Sequence, residues 1–215
     1  MQIREQTIAA FCEELGAATP APGGGAVAAV AGALGASLAA MVGGLTCGRE
    51  KFRAVEAEMT ALKDEARREA DALLALADAD QAAFTQVMAA FGLPRGTPEE
   101  KAERQRAVQA AYQTATRTPL ETMERCLAVM RHALAAVERG NQNALSDGCA
   151  GFLLAAAGFE AALWNVAINL GSIKDESFRQ DALAAVDRLR REQEEVQEAF
   201  RRAVGDPVSR FVTRP

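Results

Sequence analysis

From Gly16 through Gly48 the chain carries no charged residue, and alanine and glycine make up most of that run. A segment of that length and character has to be buried, either in a bilayer or inside protein. Leu, Ile and Phe are few in it, which favours a helix enclosed by protein. Its start is marked by Pro20-Ala21-Pro22-Gly23-Gly24-Gly25. The prolines bar a helix from running through, and the glycines then free the backbone. A helical pattern begins at once. Val27, Val30, Leu34, Leu38, Met41 and Leu45 step by three and four, the spacing of one helical face. Ala28, Gly32, Ala36 and Ala40 form a second stripe with a small residue at every fourth place. Such a stripe lets another helix or subunit pack closely. The first N–H groups of this helix have no internal partner. The Gly23–Gly25 turn therefore suits a polar or anionic ligand, as well as a plain connection between helices.

On either side the helical period continues. Residues from about Thr7 to Leu15 place Ile8, Phe11, Cys12 and Leu15 on one face, and Gly16 ends that helix. After the charged break at Cys47–Phe52, a long helix extends toward Phe91. Its stripe reads Val55, Met59, Leu62, Ala66, Ala70, Leu73, Ala77, Asp80, Phe84, Val87, Phe91. Asp80 is the exception, because a carboxylate on an apolar face is costly unless paired or hydrogen-bonded. It is either held by a neighbouring Arg or a helix N-terminus, or it belongs to a site. Thr97-Pro98-Glu99-Glu100 reads as a capping box that starts a helix to about Thr116. Thr118-Pro119 repeats the cap-then-proline order, so a kink or a fresh helix is expected there. His132, the only histidine, reads as structural.

The polar turn from Asn141 to Gly148 leads to another small-residue helix, with Ser146 or Asp147 suited to its N-cap. On that helix Gly151, Ala155, Gly158, Ala162, Asn165 and Asn169 share a face. Buried amides need hydrogen-bond partners, either nearby backbone or a ligand. The last helix carries Val186, Leu189, Val196, Phe200 and Val204 among many Arg and Glu, an amphipathic packing helix. No period-two pattern is sustained. The expected fold is an all-α, single-domain bundle of about seven to nine helices over residues 1–205, with a loose tail at 206–215.

Composition excludes several functions. The net charge of -5 and an aromatic content of 5% argue against nucleic acid as a partner. Cys12, Cys47, Cys126 and Cys149 are scattered, and with one histidine no metal-ligand spacing exists. Free thiols and an N-terminus without an apolar signal region fit a cytoplasmic protein.

Taken together, four stretches resemble the cyclodeaminase/cyclohydrolase family, which includes the C-terminal domain of formiminotransferase-cyclodeaminase and the stand-alone methenyltetrahydrofolate cyclohydrolases. They are Pro20–Gly25 with its Ala/Gly helix, and Leu45-Thr46 through Lys51-Phe52. The third is Leu93-Pro94 with Glu99–Ala102 and Thr118-Pro119-Leu120. The fourth is Gly140-Asn141 through Ser146-Asp147, followed by Asn165–Leu170. The resemblance implies a helical homodimer acting on the one-carbon bridge of tetrahydrofolate, with no metal and no tightly bound cofactor. It implies hydrolysis of 5,10-methenyltetrahydrofolate to 10-formyltetrahydrofolate, or closure of 5-formiminotetrahydrofolate with release of ammonia. A free-standing domain places the hydrolysis first. A non-catalytic dimer that binds folate or a partner protein is the rival from another class.

The bridge is an amidinium-like cation, so a nearby carboxylate stabilises it and steers the attacking water. On this footing Asp147 is the first candidate and Asp80 the second. Lys51 matches the family's lysine and has Arg49 as partner. Pro22, Gly23, Gly24, Gly25, Asn141, Ser146, Asn165 and Asn169 are the substrate-binding candidates. The chain departs from the family at Gly48-Arg49-Glu50-Lys51-Phe52, where Gly-Lys-Lys-Lys-Tyr is common, and at Ala26 and Trp164.

Overall fold

The computed structural model describes residues 2–207 and Arg210. Six α-helices dominate: α1 (Ile8–Gly16), α2 (Gly24–Thr46), α3 (Glu56–Phe91), α4 (Pro98–Arg139), α5 (Leu145–Leu170) and α6 (Glu176–Val204). Short 3-10 segments occur at Ile3–Glu5, Glu50–Val55 and Gln142–Ala144. No strand occurs among the described residues, so the all-α reading holds. The α-helices are fewer than the seven to nine expected, and Pro119 is one reason.

Pro119 lies inside α4, which runs unbroken for 42 residues. A proline within a helix removes one N–H and leaves the carbonyl four residues earlier without its donor. That carbonyl belongs to Ala115, and the Asn169 side chain of α5 donates to it at 2.7 Å. A side chain from a neighbouring helix thus replaces the missing backbone donor. The cap predicted at Thr97 is present: its hydroxyl accepts from the Glu100 N–H at 3.2 Å, and the Glu100 carboxylate accepts from the Thr97 N–H at 3.1 Å.

α2 is the central helix, packed against α3, α4 and α5. Its small stripe, Ala28, Gly32, Ala36 and Ala40, is buried. Against α5 the contact is backbone to backbone. A Cβ added to Gly35 would lie 2.6 Å from the Gly151 carbonyl oxygen, and one on Gly158 would lie 2.6 Å from that of Ala28. Gly35 meets Gly151 while Ala28 meets Gly158, so the two helices run antiparallel. The larger stripe faces outward. Leu34 is 49% exposed, and Val27, Met41 and Leu45 are exposed with it. On α5, Leu153, Trp164 and Ile168 are also exposed, Trp164 at 71%. The segments Gly24–Thr46 and Gln142–Leu170 both have the length and hydropathy of a membrane span. α2 is mostly buried by its neighbours, and the core helix of a soluble bundle passes the same test.

The ends differ in detail from the sequence expectation. Thr7 caps α1, and Phe11 is buried while Ile8 is exposed. α5 starts at Leu145 with Ala144 as its N-cap, so neither Ser146 nor Asp147 fills that place. Both lie in the first turn instead. α6 is capped by Asp175 and is held to α5 by Phe200, whose ring stacks on Phe152 with centroids 3.8 Å apart. His132 is half-buried with Nε2 3.9 Å from Glu65, and burial pushes its pKa below the ordinary value. Of the expected loose tail at 206–215, residues 208, 209 and 211–215 lie outside the described residues.

Candidate active site

The start of α2 has Gly23 as N-cap and no capping side chain. The first helical bond runs from the Val27 N–H to the Gly23 carbonyl. The N–H groups of Gly24, Gly25 and Ala26 therefore have no acceptor within the helix. α3 sets Asp80 against this turn, and a Cβ on Gly25 would overlap the Asp80 carboxylate. Only glycine admits so close an approach. Burial pushes the Asp80 pKa above the usual carboxylate range, and the Ala26 backbone N–H offsets part of that rise. The carboxylate named as an oddity on the apolar face thus sits at a helix N-terminus and also lines a cleft.

That cleft is about 320 Å³ in volume. Gly23, Gly24, Gly25, Asp80, Asn165 and Asn169 supply its polar lining, and Phe84, Val87, Tyr112 and Ile168 its apolar walls. Asn165 donates to the Ala161 carbonyl at 2.9 Å, and Asn169 to that of Ala115. Both amides therefore answer the backbone and line the cleft at once. Pro22 is buried behind the turn, while Pro20 and Ala21 take part in the lining. Sequence reading missed Tyr112, Ile168 and Ser172 as lining residues. Phe84 and Val87 were legible only as core, although their spacing from Asp80 puts all three on one face of α3.

The remaining candidates lie at the other end of α2. Asn141 is buried, its N–H donating to Thr46 Oγ1 at 2.9 Å and its Nδ2 to the Leu45 carbonyl at 3.1 Å. It also accepts from the Asn143 N–H at 3.1 Å. These bonds tie the α4–α5 turn to the end of α2. Arg49 and Lys51 are exposed just beyond that end, with the Lys51 ammonium 5.4 Å from the Phe52 ring centroid. Ser146 lines a second cavity of about 730 Å³ between α5 and the C-terminal part of α6. Asp147 is half-exposed in the first turn of α5, where the helix N-terminus favours a carboxylate. α2 has 23 residues and so separates the two groups by about 34 Å, at ~1.5 Å per residue. Within one chain, Asp80 does not meet Asp147 or Lys51. Among the described residues, no three His, Cys, Asp or Glu side chains converge to hold a metal.

A half-buried carboxylate, two amides and an open helix N-terminus between apolar walls define a helical small-molecule site. Such a site can hold a flat, nitrogen-rich or cationic ring and accept a proton beside it. Residues 7–188 match the model of the formiminotransferase-cyclodeaminase family, and the chain belongs to that family. It is 38% identical over 184 residues to a methenyltetrahydrofolate cyclohydrolase of Methylorubrum extorquens, covering 86% of this chain and 88% of that protein. It is 35% identical over 188 residues to the rat formimidoyltransferase-cyclodeaminase, covering 87% of this chain and 35% of that longer protein. A solved formiminotetrahydrofolate cyclodeaminase from Thermotoga maritima superposes with a TM-score of 0.84 at 28% identity, covering 94% of this chain and 96% of that one.

Proposed function

We propose that this protein is a cytoplasmic folate one-carbon enzyme that hydrolyses 5,10-methenyltetrahydrofolate to 10-formyltetrahydrofolate. The observation that carries the reading is the Asp80 carboxylate set against Gly25 in a cleft with Asn165 and Asn169. The cyclohydrolase relative, similar over most of both chains, supplies the substrate class.

The methenyl bridge is a cation shared by two nitrogens. Asp80 stabilises it by charge and takes a proton from the water that attacks the bridge carbon. Burial raises its pKa, which makes it a better base than an ordinary aspartate. The carbinol so formed then collapses: the bond from the bridge carbon to N5 breaks, the added oxygen becomes the formyl carbonyl on N10, and of the two water protons one passes to N5 and the other leaves to solvent. Asn165 and Asn169 hold the polar edge of the ring, and Phe84, Val87, Tyr112 and Ile168 enclose its faces. The bridge is already electrophilic, so the proposal assigns no metal and no tightly bound cofactor.

The reading includes a homodimer. The support is the exposed stripe of Val27, Leu34, Met41 and Leu45, together with the exposed Leu153 and Trp164, since exposed apolar faces mark interaction surfaces. Two-fold packing of that face with the helices antiparallel sets the Gly24 end of one α2 beside the Leu45 end of the other. Arg49, Lys51 and Asp147 of the partner subunit then reach the rim of the Asp80 cleft. Arg49 and Lys51 there attract the folate carboxylates.

Cyclodeamination is the second reading, favoured by the likeness to the Thermotoga maritima cyclodeaminase over nearly the whole chain. The ultraviolet absorbance of 5,10-methenyltetrahydrofolate, corrected for spontaneous hydrolysis, separates the two. Faster loss that disappears in Asp80→Asn is the expected result. Unchanged decay, with absorbance appearing from 5-formiminotetrahydrofolate, replaces it with cyclodeamination. Silence with both substrates defeats the enzymatic reading.

A further inference from the structure

The stretch Thr118-Pro119-Leu120 supplies no side chain to the cleft. Pro119 nevertheless sits one helical turn from a residue that does. Ala115, four positions earlier on α4, lines the cleft together with Asn169. Pro119 has no N–H to offer the Ala115 carbonyl, and a proline ring crowds the carbonyl four residues back and tilts it out of the helix. Threonine hydroxyls on this stretch bond other carbonyls of their own helix. That of Thr116 donates to the Tyr112 carbonyl at 2.8 Å, that of Thr118 to Thr114 at 3.3 Å and that of Thr122 to Thr118 at 3.1 Å. The position in register with Ala115 is the proline itself. The Ala115 carbonyl is therefore left for α5, where Asn169 Nδ2 donates to it at 2.7 Å.

This bond fixes which way the amide points. A carbonyl oxygen only accepts, so the nitrogen end of Asn169 must meet Ala115 and the oxygen end turns away from it. Asn169 Oδ1 makes no hydrogen bond among the described residues and stays open to solvent, on a residue that lines the cleft. Asn165 is held differently. Its Nδ2 donates at 2.9 Å to Ala161, one turn back on its own helix, so its orientation does not depend on α4.

We infer that Pro119 is a positioning residue for the cleft: by depriving the Ala115 carbonyl of its backbone donor, it anchors the Asn169 amide with Oδ1 presented as an acceptor to an N–H of the substrate ring. The inference rests on the folate reading of the cleft. A tetrahydropterin carries several N–H donors along its edge. An amide free to turn over would offer them its NH2 group as readily as its oxygen, whereas one anchored on Ala115 offers the oxygen at no ordering cost when the ring binds. Pro119→Ala gives Ala115 a backbone donor again and releases the amide.

The test is steady-state kinetics of wild type, P119A, N169A, P119A/N169A, N165A and P119A/N165A. The substrate is 5,10-methenyltetrahydrofolate or, where only that one reacts, 5-formiminotetrahydrofolate. P119A is expected to raise KM about two- to tenfold, the worth of one hydrogen bond, with kcat within about twofold of wild type and helix content unchanged. N169A is expected to raise KM at least as much, and P119A should add nothing to it. In the N165A background the P119A penalty should persist in full. An unchanged KM in P119A overturns the inference. So does a penalty undiminished in the absence of Asn169, since the proline would then act on the cleft without the amide. A penalty lost in both asparagine backgrounds overturns it as well. In each of these cases turnover by wild type leaves the folate reading intact. Absence of turnover with either substrate removes the folate reading and this inference with it.

Discussion

If Asn169 is what carries α4 through Pro119, removing it should cost stability only while the proline is present. The structure sets the magnitude. The Ala115 carbonyl is the acceptor that Pro119 deprives of a donor, Ala115 is 8% exposed, and the Asn169 bond to it is 2.7 Å. In Asn169→Ala the carbonyl is left buried without a donor, at a cost of about 1–3 kcal/mol. In Pro119→Ala residue 119 regains an N–H that reaches the same carbonyl, so deletion of Asn169 in that background should cost no more than ~0.5 kcal/mol. The double-mutant cycle should therefore return a coupling of about 0.5–3 kcal/mol. Urea unfolding of the four proteins at one fixed protomer concentration provides the assay, with the slope checked for constancy before midpoints are compared. Equal costs of Asn169→Ala in both backgrounds would refute the reasoning, and Asn169 would then be a cleft residue with no part in sustaining α4.

Other outcomes follow from the same geometry. Asp80→Asn should abolish turnover and raise thermal stability, since a half-buried charge is removed. Because the folded pKa is raised, wild type carries no penalty below the unfolded value near 3.9. The penalty grows as pH climbs through the folded value and is constant above it, so the gain in Asp80→Asn should be absent in acid and largest at neutral pH, and a gain that is flat with pH would contradict it. Gly158→Ala places a Cβ 2.6 Å from the Ala28 carbonyl oxygen. Overpacking of about 1–3 kcal/mol should outweigh the ~1 kcal/mol that alanine gains in helix propensity, and the urea midpoint should fall. The pair Leu34→Glu and Trp164→Glu on the exposed face should turn a dimer into a monomer in sedimentation with helix content preserved, whereas a monomeric wild type would end the dimer reading. Thr97→Ala should cost about 1 kcal/mol through loss of the α4 cap, read as a lower urea midpoint.

Much of this molecule is written locally. Helix period, the Thr97 capping box, the glycine turn before α2 and the small stripe along it are all contained within a few turns of chain, and each appears where the residues place it. Asp80 was conspicuous for the same reason, since a carboxylate on an apolar face stands out in any helical projection. The four stretches that carry the family resemblance were legible in order and spacing, and with them the family. What a local reading cannot supply is the partner. Pro119 reads as a kink or a fresh helix start because its remedy, Asn169, lies 54 residues away. Ser146 and Asp147 read as caps, yet the Gln142–Ala144 3-10 turn, itself capped by the Asn141 side chain, leads straight into α5 and leaves Ala144 in the N-cap place. Asp147 and Lys51 stood beside Asp80 as catalytic candidates, because nothing in the spacing of residues tells which end of a long helix each will occupy. Periodicity fixes which side chains share a face of one helix. Only packing decides which face is covered, which buried carbonyl meets which donor, and which carboxylate closes on the glycine turn, because those contacts join segments that the chain itself keeps far apart.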